Sequence, residues 1–226
     1  PGSPWVVAAK RVLAGEIDPG LPAGPSECIV LADNTVHGGL AAMDLLIEAE
    51  HGPDSSAWLV TDSERVIEEA LAALPELWAD MDEKRAEFSR AVLTGKSGGI
   101  VLADSMAEAC AFVNEYAPEH LEILSTKPFE YLGEITEAAE ILLGPHTPVS
   151  IGNFALGPNA VLPTSKGANT YGPLSVADFM RRSSVGYVTA KGYPLMAASA
   201  RVLAEYEGFS SHAIAVSERR DRYLKG

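Results

Sequence analysis

Residues 117–124 read A-P-E-H-L-E-I-L and set a carboxylate, Glu119, directly beside an imidazole, His120. An imidazole titrates near neutrality, and a carboxylate can accept a proton from water, so the two types suit general acid–base chemistry. The same residues fit an ordinary helix start, with Pro118 at the first position and an acidic residue in the first turn. On a helix, adjacent side chains diverge by about 100°. Both then reach one substrate only where it lies against the helix start. Glu48 and His51 stand at i and i+3, which puts both on one helix face. That spacing suits a pair of metal ligands, and equally a surface pair at a helix end, where a cationic histidine complements the dipole. Glu207 and His212 are five apart across Gly208, which fits a loop or a helix break rather than a shared face.

These side chains need elements to place them. Pro4 to Ala14 reads as a helix closed by Gly15, and Glu27 to Asp33 (E-C-I-V-L-A-D) as a buried strand. Gly38 to Glu50 is helical and ended by His51-Gly52-Pro53, with a second strand at Ala57 to Thr61. Two helices follow, Ser63 to Ala73 and Glu76 to Leu93, separated at Pro75; S-G-G-I-V-L-A-D then supplies a third strand. Asp104 or Ser105 caps a helix to about Glu115, with Glu108 placed for a capping box. Strands alternating with helices predict an α/β fold with a parallel sheet. From Leu143 to Pro173 the texture turns to Gly, Pro, Asn and Thr, a length of loop that is usually functional. A short helix (Val176 to Arg182), a strand (Val185 to Thr189) and helical segments at Leu195 to Glu207 and Phe209 to Arg220 complete the chain.

Composition narrows the function classes. With 17 basic against 31 acidic residues in 226, the net charge is −14, and no Lys/Arg stripe is interleaved with aromatics. Such a surface repels phosphate backbones, so no nucleic-acid partner is expected. No apolar run is long enough to cross a bilayer and the start does not resemble a signal peptide, so no membrane partner is expected. Cys28 and Cys110 lie in apolar runs without close spacing, which predicts buried reduced thiols and a cytoplasmic protein. The P-G-S-P start without methionine points to a piece of something longer. The chain contains no G-x-G-x-x-G after a strand, no P-loop, no G-x-S-x-G and no H-E-x-x-H.

Taken together, the blocks resemble the histidinol dehydrogenase family. They are P-A-G-P-S-E (Pro22 to Glu27), D-L-L-I-E-A-E-H-G-P-D (Asp44 to Asp54), N-E-Y-A-P-E-H-L-E-I (Asn114 to Ile123), G-N-F-A-L-G-P-N-A-V-L-P-T (Gly152 to Thr164), L-S-V-A-D-F (Leu174 to Phe179) and L-A-E-Y-E-G-F-S-S-H (Leu203 to His212). They occur in family order over nearly the whole chain, which resembles a C-terminal half. The resemblance implies an incomplete Rossmann-like domain at 21–190, the tail of an upstream nucleotide-binding-like domain at 1–20, and a C-terminal helical arm for dimerisation at 191–226. It also implies oxidation of a small-molecule amino alcohol through an aldehyde to the acid, with NAD and Zn2+ as cofactors. By this resemblance His120 is the base that takes the alcohol proton and Glu119 activates the water that attacks the aldehyde. Zinc, which mainly holds the substrate, falls to Glu48, His51, Asn153 and His212. Those four, with Ser26, His120 and Glu207, are the implied substrate contacts, and Ser3 matches a cofactor-contacting position. Family members are homodimers in which the arm reaches the other subunit's site, so Glu207 and His212 are expected to act in trans.

The departures are specific. The family has Gln at Glu48 and Asp at Asn153, so amide and carboxylate have exchanged places. One carboxylate and two neutral histidines keep one net negative charge in either arrangement, and retention of a divalent metal is expected. Ala160 replaces a substrate-site histidine, Asn169 an arginine, and Ser3 the asparagine of G-P-G-N. A lost donor leaves its substrate partner unpaired, so that beside L-histidinol, the default substrate the resemblance implies, a related small polar alcohol is a rival. Two other readings stand beside the dehydrogenase: a non-catalytic half-chain used for binding or assembly, and a zinc hydrolase with Glu119 as base.

Overall fold

Short runs rich in aliphatic residues and buried on both faces are the sequence form of a parallel strand. Strand β1 (Glu27–Ala32), β2 (Ser56–Thr61) and β3 (Gly98–Leu102) are of this kind. They lie where the sequence predicts three strands. The computed structural model, which describes residues 3–224, adds β4 (His120–Leu124) and β5 (Glu140–Leu143). All neighbours pair parallel in the order β3-β2-β1-β4-β5. The chain moves outward from β1 and then returns to its other side, so the order reverses between β1 and β4, as in doubly wound Rossmann-like sheets.

Helices cover both faces. On one face α2 (Gly38–Ala49), α3 (Glu64–Asp80) and α4 (Glu83–Leu93) bury Ala41, Leu45, Val66, Ala70 and Val92 against Val30 and Leu59. On the other, α5 (Met106–Tyr116) packs Ala109, Cys110 and Val113 on Ile29, Leu31, Leu121 and Ile123. Both cysteines are buried and free. Ser105 caps α5 by accepting from Glu108 N, while Glu108 reaches back to Asp104 N, close to the expected capping box. The contacts divide the chain after Phe179. The first unit also holds α1 (Pro4–Val12), which buries no residue, and the short α6 (Val149–Phe154). The second contains α7 (Tyr193–Tyr206), α8 (Ser210–Ala215) and α9 (Glu218–Leu224). No helix among the described residues is long and apolar enough to cross a membrane.

Four expectations change. The helix expected to break at Pro75 is continuous; α3 runs through Pro75 and ends at Asp80. Proline frees the carbonyl four residues earlier, and that residue, Leu71, is solvent-exposed, so water can take the lost bond. The break falls instead at Met81, where Asp82 caps α4 by accepting from Lys84 N and Arg85 N. Residues 176–182 form only a one-turn 3-10 helix at Val176–Phe179, and residues 185–189 pair with no strand among the described residues. A run of strand-forming residues makes a strand only when a neighbouring backbone accepts its hydrogen bonds. Finally, Glu119 and His120 do not start a helix. Ala117 adopts a left-handed conformation (φ 55°) that ends α5, Pro118 prevents its continuation, and His120 opens β4.

Helix α2 packs closely on α3 at Gly38. A Cβ on Gly38 would overlap Val66 O and stand 2.7 Å from Ala70 N, both backbone atoms that cannot step aside. Gly38→Ala should therefore destabilise the protein by about 1–3 kcal/mol despite alanine's better helix propensity, read as a lower urea midpoint with unchanged slope. An unchanged or raised midpoint would refute this packing.

Candidate functional site

Parallel strands that start together bring the residues before them together. Ser26 precedes β1, Glu119 precedes β4, and His120 and Glu140 open β4 and β5, where they are register partners. Helix α2 runs back antiparallel to the sheet, so its last turn delivers Glu48 and, just past its end, His51 to the same amino edge. The loop before β1 is stitched to the loop at residue 164. Gly24 N donates to Thr164 Oγ1 (2.8 Å), Thr164 N to Pro22 O (2.7 Å), and Ser165 N to Glu27 Oε1 (2.9 Å). This stitching lays Ala160 to Leu162 over a cavity of about 190 Å³. Ser26, Glu48, His51, Glu119, His120 and Asn153, six of the residues singled out in the sequence, line it together with Ala160.

In most open α/β sheets the ligand lies at the carboxyl edge, at the switch point. Here that edge is filled by the protein's own groups. Asp33 accepts from Ser125 Oγ (2.6 Å), Tyr131 OH (2.9 Å) and Thr35 N (2.8 Å). The first amide of α2, Gly38 N, donates to Glu69 Oε2 (2.7 Å), and Gly39 N to His37 Nδ1 (3.0 Å). A helix start already occupied by a carboxylate does not fit the pyrophosphate of a dinucleotide.

Inside the amino-edge pocket, Glu119 is 4% and His120 3% exposed. Glu119 Oε2 accepts from Glu27 N (3.0 Å), and its Oε1 stands 4.0 Å from His120 Nε2. Burial pushes the Glu119 carboxyl up to about 7, with the His120 charge and the Glu27 amide holding it back. Burial by itself would lower the imidazole, but the bond to Glu140 and the charges of Glu119 and Glu48 more than reverse it, and His120 titrates above its ordinary value. Both shifts arise from burial and from the acids around the pair, the environment in which functional groups are often found.

Glu48 Oε2 lies 3.2 Å from His51 Nδ1, which also faces Ile47 O at 3.1 Å, and Glu48 Oε1 accepts from Asn153 Nδ2 at 3.3 Å. The i, i+3 geometry and the helix-end geometry are therefore present at once. Asn153 Oδ1 is buried without a partner, and His51 is half-exposed. One carboxylate, one imidazole and one orphaned amide oxygen fit a divalent cation as donors, although no group of three His, Cys, Asp or Glu ligands assembles among the described residues. Glu207 and His212 belong to the second unit. Glu207 ends α7, and His212 is exposed on α8 with its ring 5.3 Å from that of Phe209. Ser3 precedes α1, exposed and with no side-chain cap bond.

Sequence reasoning missed a set of acids behind this pocket. Glu140, eight-per-cent exposed, lies 2.7 Å from His120 Nδ1. One turn before Glu48 on α2 is Asp44, and two residues after His120 on β4 is Glu122; the two acids face each other in the core. Burial, and for Glu122 the nearby Asp44 charge, hold both carboxyls above the usual range. The available signal was H-L-E-I-L itself: charge at 120 and 122 alternating with apolar residues at 121 and 123 is a strand pattern with a polar face.

The whole chain also matches known proteins. Residues 1–220 match the family model described as histidinol dehydrogenase. A protein named "Histidinol dehydrogenase homolog" from Cereibacter sphaeroides is 74% identical over 100% of this chain and 51% of its own length. One named "Histidinol dehydrogenase" from Synechocystis is 48% identical over 98% of this chain and 51% of its own. The crystal structure of histidinol dehydrogenase from Elizabethkingia anophelis superposes with a TM-score of 0.87 at 32% identity, covering 100% of this chain and 51% of that one. The chain spans about half the length of the curated relatives it matches.

The Asp44–Glu122 pair has a measurable consequence. A carboxyl whose folded-state pKa is raised keeps its proton where the unfolded chain has lost it, above about pH 4.3. Its contribution to stability is therefore full at low pH and lost as pH rises toward the folded value. Glu122→Gln removes that slope. The Tm of the variant relative to wild type should rise from pH 5 to pH 8 by at least ~2 °C. A difference that is flat or falls with pH would contradict the shared burial of the two acids.

Proposed function

Because the chain belongs to the histidinol dehydrogenase family, we propose that the amino-edge pocket carries the proton chemistry of an NAD-dependent oxidation of a small polar alcohol to its acid. The observation that supports it is the buried His120–Glu119 pair, 4.0 Å apart and turned into one small cavity. In the first oxidation, His120 Nε2 takes the hydroxyl proton as a hydride leaves the carbinol carbon, giving the aldehyde. Glu119 then takes a proton from water as its oxygen adds to the aldehyde carbon, and His120 returns its proton to the former carbonyl oxygen. In the second oxidation, His120 takes a hydroxyl proton of the resulting diol as the second hydride leaves, giving the acid. A carboxyl pushed up to about 7 is matched to the middle step, since a base works best near the operating pH.

NAD, when bound, accepts the two hydrides; Ser3, with its hydroxyl uncommitted at the start of α1, is this chain's residue for that site. Zinc, when bound, supplies a positive charge that orients the polar end of the substrate; Glu48, His51 and Asn153 would hold it, with His212 as the fourth ligand. Ser26 and Glu207 complete the substrate contacts in this reading. Glu207 and His212 come from the partner of a homodimer through arm exchange, with residues 191–226 as the arm. Buried reduced thiols accord with a cytoplasmic enzyme.

L-Histidinol is the default substrate of the family. Ala160 in the pocket wall and Asn153 beside Glu48 favour a related alcohol, and the high identity to a protein named as a homolog points the same way. A second reading, a half-chain that binds or assembles without catalysis, is favoured by apolar side chains left in solvent, among them Trp5, Val12, Phe154, Val185 and Tyr187.

Two outcomes separate these readings. In the full-length protein, His120→Ala should slow both oxidations by roughly 10²-fold or more, while Glu119→Gln should mainly stall the aldehyde-to-acid step, so that one NADH forms per alcohol and aldehyde accumulates. Equal losses at both steps for Glu119→Gln would undo the division of roles, and no turnover of any polar alcohol by the wild type would favour the assembly reading. The isolated 226-residue chain should form no NADH with the alcohol that the full-length protein oxidises; NADH production by the chain alone would overturn that expectation.

A further inference from the structure

Glu140 has no part in the chemistry above, yet it is the carboxylate nearest to His120. Its Oε2 is 2.7 Å from Nδ1, whereas Glu119 Oε1 is 4.0 Å from Nε2. Both partners are more than nine-tenths buried, with side chains 4% and 7% exposed. The contact is set by the backbone. His120 and Glu140 are register partners on β4 and β5, and Glu140 N donates to Glu119 O at 3.0 Å. On its far side the carboxylate is confined by α6, where a Cβ on Gly152 would lie 3.4 Å from Oε1.

An ionised carboxylate only accepts, so a contact of this length is satisfied when Nδ1 carries hydrogen. A neutral ring protonated at Nδ1 has its lone pair at Nε2, the nitrogen that faces Glu119. Without a fixed acceptor at Nδ1 the ring is free to take the other tautomer, whose Nε2 bears hydrogen and cannot accept a proton. We propose that Glu140 is a positioning residue that holds His120 in the Nδ1–H tautomer and thereby makes Nε2 the basic nitrogen of the pocket. This rests on the reading of His120 as the base. The same contact offsets the desolvation of the imidazolium formed once the substrate proton arrives, the role a buried carboxylate plays behind a catalytic histidine in other enzymes.

The test uses the full-length protein with 15N-labelled histidine, read at a pH where the ring is neutral, together with steady-state kinetics. Wild type should show hydrogen on Nδ1 and the lone-pair shift on Nε2 of His120. Glu140→Leu should move the ring toward the Nε2–H tautomer and lower kcat at least roughly tenfold with KM within about twofold. Glu140→Gln can turn either its oxygen or its amide to the ring, and its kcat should follow the fraction of Nδ1–H that the spectrum shows. Should Glu140→Leu fail to fold, the isosteric Glu140→Gln decides alone. A wild-type ring protonated at Nε2, an unchanged tautomer in a variant whose kcat falls, or an unchanged kcat after the tautomer moves would each overturn the proposal. Full turnover by His120→Ala would instead remove the base assignment, and the spectra would still report whether Glu140 sets the tautomer.

Discussion

The arrangement depends on one constraint: β4 lies between β1 and β5 in the sheet yet turns two ionisable side chains, His120 and Glu122, into the protein interior. Buried ionisable groups are costly unless each finds a partner or changes its protonation state. His120 resolves this with carboxylates on both ring nitrogens, Glu140 close and Glu119 farther. For Glu122, burial beside Asp44 pushes the carboxyl toward its neutral form. The two layers follow from periodicity. Residues 120 and 122 are successive positions on one face of a strand, and residues 48 and 44 are one turn apart on α2. Once β4 pairs with β1, the acids of α2 must meet the polar face of β4.

The position of the pocket follows from the same pairing. A doubly wound sheet offers a crevice at the carboxyl edge where its order reverses, but this protein closes that crevice with Asp33, Ser125 and Tyr131 and seals the α2 amides with Glu69 and His37. At the amino edge the loop before β1 is tied to the loop at residue 164, and a cavity lies beneath them. The candidate pocket thus lies at the edge opposite to the one the fold class would suggest. Glu119 and His120 reach a common cavity because Glu119 lies in the loop just before the strand, where strict alternation does not yet apply.

Local patterns made much of this legible. The alternation of apolar runs with amphipathic stretches carried the α/β class and the first three strands, because aliphatic strands buried on both faces look the same in any parallel sheet. Spacing carried Glu48 and His51, because i and i+3 meet on any helix. The irregular parts were less accessible. Pro75 sits inside α3 because Leu71 is exposed, a property of packing rather than of the dipeptide. The run at 185–189 is rich in strand-forming residues but pairs with no strand among the described residues.

Sequence alone determined which side chains were available and where the family's motif residues stood, including the neighbouring Glu119 and His120 and the exchange of amide and carboxylate between Glu48 and Asn153. Tertiary structure decided what those residues face. It turned a proline-led segment from a helix start into a strand start, set Glu140 against His120 from twenty residues away, and buried Asp44 against Glu122. The physical reason is that side-chain type and local period are written in neighbouring residues. A hydrogen bond between two strand starts, and the proton affinity that burial confers, exist only after distant segments have packed.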